Sequence, residues 1–226
     1  MKNPALAMKL AVALTLAACG PADAGNAPAT VAAAGASGAQ DLPMVAEVGF
    51  SDLLRDPATP FIGAENADII IIGFMDYNCP YCKMMIPELE GLMKADPKVR
   101  ILYKEWPIFG AVSENVARLA MAANYQGKYH EVHKAFMGAK GRIETDQQAR
   151  SLARAAGVDM NQLDRDLATH REEIDAVILR NTREASALAL SGTPAFIING
   201  NLIPGGMPQA QLEAVIARIR AGQPVR

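Results

Sequence analysis

A chain of 226 residues with 22 basic and 24 acidic side chains carries a formal charge of −2. It has no basic excess with which to neutralise a phosphate backbone, which excludes nucleic acid as an expected partner. Half of the residues are hydrophobic and a fifth are charged, the balance of a soluble globular protein with room for one sizeable domain or two small ones.

Lys2 and Lys9 flank an Ala/Leu/Met-rich start, and Leu10–Ala18 is apolar apart from Thr15. Spanning a bilayer takes about 20 apolar residues, so this run fits the hydrophobic region of a secretory signal instead. It ends in Leu16-Ala17-Ala18-Cys19-Gly20, which resembles the bacterial lipobox. The resemblance implies a signal over residues 1–18, cleavage before Cys19, and lipid attached there to anchor the protein to a membrane. The alternative is cleavage after Ala24, in Ala22-Asp23-Ala24, which discards Cys19. Both routes deliver the chain to a compartment where disulfides persist. Residues 19–40 are mostly Ala, Gly, Pro, Ser, Thr and Asn and predict a flexible tether with a root-mean-square span of about 25 Å.

Residues 41–60 read as a helical lead-in, with a mildly amphipathic helix over Asp41–Leu54 ended by Asp56-Pro57 and Thr59-Pro60. Ile69–Met75 is the uninterrupted β-branched run of a strand covered on both faces. A helix starts at Cys79-Pro80-Tyr81-Cys82, where Pro80 suits the first turn and Pro87 predicts a kink. Val99–Trp106 is the next strand. Ser113–Ala189 is helical, with caps expected at Ser113, Thr145 and Asp159 and with breaks near Gly127, Gly138–Gly141 and Gly157, giving three or four helices. Ala195–Ile198 is a short strand, Asn199-Gly200-Asn201 its turn, and Leu202-Ile203 its hairpin partner. Met207–Ala221 closes the chain as an amphipathic helix.

The chemistry sits where strand meets helix. Thiol–disulfide exchange runs through a thiolate. Cys79 at the helix N-terminus has unsatisfied N–H groups and the helix dipole to stabilise that charge. Cys79 is therefore expected as an exposed nucleophile, and Cys82, one turn further in, as a buried, protonated resolving thiol. Pro80 and Tyr81 between them tune the pair. Zinc would need four ligands, and the three histidines supply no matching second pair. A structural disulfide closing so small a loop would constrain the unfolded chain rather little. Redox chemistry is the better reading of the spacing.

Cys79-Pro80-Tyr81-Cys82-Lys83-Met84-Met85-Ile86-Pro87 resembles the active-site helix of the thioredoxin superfamily, and Gly192-Thr193-Pro194-Ala195-Phe196 resembles its cis-proline loop. The resemblance implies that Pro194 sits against the cysteines and that the Thr193 backbone aligns an extended substrate chain. The helical block is what DsbA-like proteins insert into this fold. The implied fold class is α/β, a thioredoxin fold over residues 61–226 with a helical insertion at about 112–189. Phe74-Met75-Asp76-Tyr77-Asn78-Cys79, Lys104-Glu105-Trp106-Pro107-Ile108 and Leu53-Leu54-Arg55-Asp56-Pro57-Ala58-Thr59-Pro60 look most like the suppressor-of-copper-sensitivity and Com1-type envelope oxidoreductases. Thr before the cis-proline tilts the implied activity towards isomerisation or reduction. The implied partners are exported cysteine-containing proteins and a membrane redox partner that resets the dithiol, with no dissociable cofactor.

One position departs from the family. Many thioredoxin-fold enzymes carry a buried acid six residues before the first cysteine, where this chain has Gly73. Glu105 on the neighbouring strand is the candidate replacement for proton transfer, the alternative being that it pairs with Lys104 or faces solvent. A second functional class is a Cu(I) carrier using Cys79 and Cys82, since soft thiolates suit Cu(I). His130 and His133 share a helix face that could bind copper, although such histidines more often pack. Met84, Met85 and Met121 are candidates for an adaptable peptide groove or for core packing.

Overall fold

A computed structural model of the chain describes residues 49–225. The signal, Cys19, the tether and residues 41–48 of the lead-in lie outside the described residues. In chain order the elements are α1 (Phe50–Leu54), β1 (Phe61–Gly63), β2 (Ile69–Met75), α2 (Pro80–Ala95), β3 (Val99–Glu105), α3 (Ala111–Ala123), α4 (Tyr129–Met137), α5 (Asp146–Ala155), α6 (Met160–Thr169), α7 (Arg171–Ala187), β4 (Ala195–Ile198), β5 (Asn201–Pro204) and α8 (Gln209–Arg220). The strands form one sheet in the order β1-β3-β2-β4-β5. Only β2 and β3 run parallel; the other neighbours are antiparallel.

The isoleucine run of β2 is central because both of its faces are covered. Ile69, Ile71 and Met75 join a core with α2, α3, α4 and α8, while Ile72 and Phe74 join Leu53, Leu102, Trp106 and Ala185 on the opposite face. Side chains alternate across a strand, so the consecutive residues Lys104 and Glu105 of β3 go to opposite faces. Lys104 reaches Glu184 of α7 at 2.9 Å, and Glu105 faces α4.

Three elements differ from the sequence reading. Strand β1 has only three residues, too few for an alternation to be legible, and it holds the sheet edge by pairing antiparallel with β3. The insertion has five α-helices. Gly127 and Gly157 do mark breaks, with φ of 64° and 87°, but α6 and α7 part at His170 without glycine or proline. Ser113 is not a cap. The helix starts at Ala111, and the Ser113 hydroxyl is used elsewhere. Thr145 and Asp159 do cap, accepting from Gln148 N and from Asn161 N and Gln162 N respectively.

Helix α2 is clamped at several points. Lys83 Nζ donates to the carbonyls of Ala139 and Gly141 at 2.8 and 2.7 Å, just beyond the C-terminus of α4. Glu88 Oε2 accepts from Gln209 N at 2.6 Å, so a carboxylate of α2 sits at the positive N-terminus of α8.

The junction after β2 is organised by Asp76, which is buried. Its Oδ1 accepts from Asn78 N at 2.7 Å and Ser113 Oγ at 2.9 Å, and its Oδ2 from Ile108 N at 2.7 Å and Phe109 N at 3.1 Å. Asn78 extends the network by exchanging two hydrogen bonds with the Ile143 backbone. In Asp76→Asn the amide NH₂ must face donors on one side, stranding buried groups at roughly 1–3 kcal/mol each. The expected loss in unfolding free energy is about 2–4 kcal/mol, read as a shifted denaturant midpoint at unchanged slope.

Candidate active site

Cys79 occupies the N-cap of α2 in extended conformation (φ −82°, ψ 119°), with Pro80 at the first helical position. A turn bond from Cys79 N to Asp76 O at 3.1 Å sets the approach. Cys82 lies one turn in, and its Sγ accepts from Asp76 N at 3.5 Å. Both thiols are free.

The expected contrast in exposure is not what separates them. Cys79 is 1 % exposed and Cys82 0 %. Cys79 is covered because the Thr193-Pro194 loop, whose peptide is cis, lies over it; when protonated, Cys79 Sγ donates to Thr193 O at 3.1 Å. The difference is electrostatic. The Cys82 thiol, donating to the neighbouring sulfur, is the largest influence on Cys79. Burial opposes it, and the Tyr81 and Cys82 backbone N–H groups assist, bringing Cys79 from 9.0 down to about 6. Burial pushes Cys82 far up, and the hydrogen bond to Cys79 adds to this. The Thr193 hydroxyl, close to both sulfurs, favours the thiolate at either one. At neutral pH the dithiol therefore holds one thiolate and one thiol.

Pro80 and Tyr81 stand at the surface. Tyr81 and Met84 are each 65 % exposed. With Met85, Glu88, Gly206, Met207 and Pro208 they line a shallow groove of about 200 Å³ beside the cysteines. Met84 and Met85 thus reach the groove, whereas Met121 is buried in the core of α3. Ile108 and Phe109, held by Asp76, are also partly exposed.

Glu105 neither pairs with Lys104 nor faces solvent. It lies opposite Met75 in register, one residue before the Asp76 amide that holds Cys82. Its carboxyl is buried, and Oε1 accepts from both Tyr77 Oη and Tyr129 Oη at 2.6 Å. Burial raises Glu105 most; the two phenols pull it down and the Asp76 charge pushes it up again, leaving it at about 8. Tyr77 Oη also meets His133 Nδ1 at 3.1 Å. His133 packs against Tyr103 and Tyr129, with ring centroids 4.2 and 5.7 Å away. Sequence reasoning missed Asp76, Asn78, Tyr77, Tyr129 and His133 as parts of this site. The available signal was the Tyr129/His133 spacing of four, which puts both on one helix face; His130, chosen with His133, is only half-buried. At Gly73 a Cβ would lie 3.1 Å from the Phe196 ring, so any side chain there would press on that ring.

Among the described residues, no three His, Cys, Asp or Glu side chains are grouped so as to hold a metal ion. No helix among them is long and apolar enough to cross a membrane.

Residues 70–217 match the family described as the DSBA-like thioredoxin domain. A thioredoxin-like oxidoreductase from Silicibacter pomeroyi DSS-3 is 39 % identical in sequence. It superposes with a TM-score of 0.72 over 76 % of this chain and 98 % of that one. The catalytic domain of Proteus mirabilis ScsC is 26 % identical, with a TM-score of 0.66 over 75 % of this chain and 93 % of that one. A Na(+)/H(+) antiporter NhaA 1 of Salinispora arenicola is 24 % identical over 166 residues, 73 % of this chain. The chain spans only about a quarter of that relative's length. With a dithiol on the first turn of α2, a cis-proline loop over it and a helical insertion between β3 and β4, the chain belongs to the DsbA-like thioredoxin family of thiol-disulfide oxidoreductases.

Proposed function

We propose that the protein exchanges disulfides with exported, cysteine-containing proteins in the bacterial cell envelope, held there by lipid on Cys19 and reaching clients through the residue 19–40 tether. The observation that carries this reading is the split pair, Cys79 at about 6 and Cys82 driven far above the ordinary thiol range by burial. A thiolate at Cys79 attacks a client disulfide and forms a mixed disulfide, expelling one client sulfur as a thiolate. Cys82 then loses its proton and attacks Cys79 Sγ; the Cys79–Cys82 disulfide forms and the second client sulfur leaves. Client and dithiol thereby exchange two electrons. Running the same steps backward oxidises the client, and a membrane redox partner restores the starting state. Thr193 before the cis-proline favours isomerisation and reduction over net oxidation.

Client recognition has two parts in this reading. The Thr193-Pro194 loop aligns an extended backbone next to Cys79. The groove lined by Tyr81, Met84 and Met207 takes apolar side chains, for which exposed methionines are well suited. Glu105 exchanges a proton with Cys82: it lies at the same end and on the same face of the sheet, and a carboxyl at about 8 gives and takes protons near neutral pH.

Refolding of a scrambled disulfide substrate tests the activity: Cys79→Ser abolishes it, and Cys82→Ser accumulates mixed disulfides on gels run without reductant. Thiolate absorbance should titrate with a midpoint of about 6, moving up by about one unit, or ~1.4 kcal/mol, in Cys82→Ala. A midpoint at an ordinary thiol value removes the reading.

Glu105→Gln is expected to slow release of the mixed disulfide while leaving alkylation of Cys79 unchanged. The same variant has a thermodynamic counterpart. Glu105 is raised from 4.5 to about 8, so between those values the folded state binds a proton that the unfolded state does not. Stability then falls as pH rises through this window, by up to ~1.4 kcal/mol per pH unit, and levels off above it. The difference between wild type and Glu105→Gln should carry that slope, since contributions from Cys79 and His133 cancel. For the anchor, Cys19→Ser should abolish incorporation of labelled palmitate and release the protein from membranes.

A further inference from the structure

Between α2, α4 and the β1/β3 edge lies a second cavity, of about 200 Å³, lined by Ile62, Ile86, Leu89, Met93 and Tyr103 together with Glu90, His130, His133 and Lys134. It reaches the surface at the Lys134–Glu90 ion pair, whose two side chains are about half exposed and 2.8 Å apart. His133 is 2 % exposed, and its Nε2, the ring nitrogen not used by Tyr77, has no hydrogen-bond partner. A buried imidazole with one nitrogen on a tyrosine and the other left open, in a residue that lines a cavity, is an uncommon arrangement. Buried polar atoms are nearly always satisfied.

We propose that His133 and Tyr77 form a proton relay connecting the buried Glu105 carboxyl with water in this cavity. The proposal rests on the assignment of Glu105 as the proton partner of Cys82 and adds the route by which that proton reaches solvent.

The heavy-atom geometry suits both ends of the transfer without any side chain moving. In the unloaded state His133 Nδ1–H donates to Tyr77 Oη, Tyr77 O–H donates to an ionised Glu105 Oε1, and His133 Nε2 carries a lone pair. In the loaded state the carboxyl proton on Glu105 Oε1 is donated to Tyr77 Oη, the phenolic proton to His133 Nδ1, and His133 Nε2 carries the hydrogen. Passing from loaded to unloaded, Glu105 gives its proton to Tyr77, Tyr77 gives its own to His133 Nδ1, and Nε2 releases one to water. One proton leaves, and neither Tyr77 nor His133 ends with a net charge. The 2.6 and 3.1 Å separations are hydrogen-bond distances in both states. Tyr129 donates to the same Oε1 at 2.6 Å, so it steadies the carboxyl and leads no further.

The charges around the relay are compatible with it. His133 faces Tyr77, Tyr103 and Tyr129, with His130 and Lys134 on its own helix and Glu90 on α2 lining the cavity beside it. Burial, with the His130 charge adding to it, holds His133 down at about 3. The imidazole is therefore neutral at physiological pH, and a neutral ring, with one N–H and one lone pair, is what a two-sided relay needs.

The measurement is release of a peptide thiol from the preformed Cys79 mixed disulfide of the full chain, by stopped flow. Glu105→Gln, His133→Phe, Tyr77→Phe and His133→Ala are compared with wild type, and Cys79 alkylation is followed in parallel. His133→Phe and Tyr77→Phe keep the aromatic packing; each should slow release by about a hundredfold, the lower end of the range for a positioned proton-transfer group, without altering alkylation. His133→Ala should be equally slow and should recover when imidazole, which fits the enlarged cavity, is added at millimolar concentration. A packing defect would not recover in this way. Wild-type release in His133→Phe, or a slow His133→Ala that imidazole leaves unchanged, overturns the relay. If His133→Ala does not fold, equal slowing in the two phenylalanine variants supports the relay and wild-type release in either overturns it. Slow release in Glu105→Gln with normal release in His133→Phe sinks the relay alone, whereas normal release in Glu105→Gln sinks the Glu105 assignment as well.

Discussion

The Asp76 carboxylate is the constraint on which the site depends, because it ends the central strand and gathers everything that must stay close to the cysteines. Four donors converge on it from three separate places in the chain: its own turn, the Ile108-Phe109 connection after β3, and Ser113 in the first turn of α3. Its amide in turn points at Cys82 Sγ. A buried carboxylate is costly unless each lone pair is used, so this one tolerates little variation in where those segments lie. The turn that leads into the dithiol and the insertion are thereby held in register by one side chain. Lys83 makes the complementary connection from α2 to the end of α4, so the helix that carries the dithiol is tied to the insertion by a charge of each sign.

The second buried carboxyl has a different environment and hence a different capacity. Glu105 receives only two side-chain donors, both phenols on the same oxygen, in a place where burial outweighs them. Fewer donors in a dry site leave protonated and ionised forms close in free energy near neutral pH. On the opposite face of the same strand Lys104 is paired with Glu184, a charge matched by a charge. Adjacent residues of β3 thus supply a fixed ion pair to one core and a titrating group to the other.

Much of this was legible in advance, and the remainder was hidden for physical reasons. The strands β2, β3 and β4, the helix starting at the cysteine motif, the caps Thr145 and Asp159, and the pairing of the dithiol with Thr193-Pro194 all rest on local patterns or short motifs. Strand β1 did not show because three residues have no period. Ser113 was misread as a cap because serine near a helix start accepts from backbone N–H groups or donates elsewhere with equal ease, and here a distant carboxylate took it. The burial of Cys79 was misjudged because it is imposed by a loop more than a hundred residues away. Tyr129 meets Glu105, and His133 meets Tyr77, only once α4 has packed against α2 and β3, and no window of sequence contains all four residues.

That last point bears on what the insertion is for. Where the acid stands on the central strand six residues before the first cysteine, proton handling is confined to the sheet and the helix above it. Here the Phe196 ring lies against Gly73, and the buried carboxyl is one strand over, on β3. A carboxyl in that position is within reach of α4, which supplies Tyr129, one of its two donors, and His133, which meets the other donor, Tyr77. Without α4, Glu105 would keep the hydrogen bond from Tyr77 and lose the one from Tyr129. The helical block therefore does more than cover the dithiol: α4 supplies one of the two phenols that hold the buried Glu105 carboxyl.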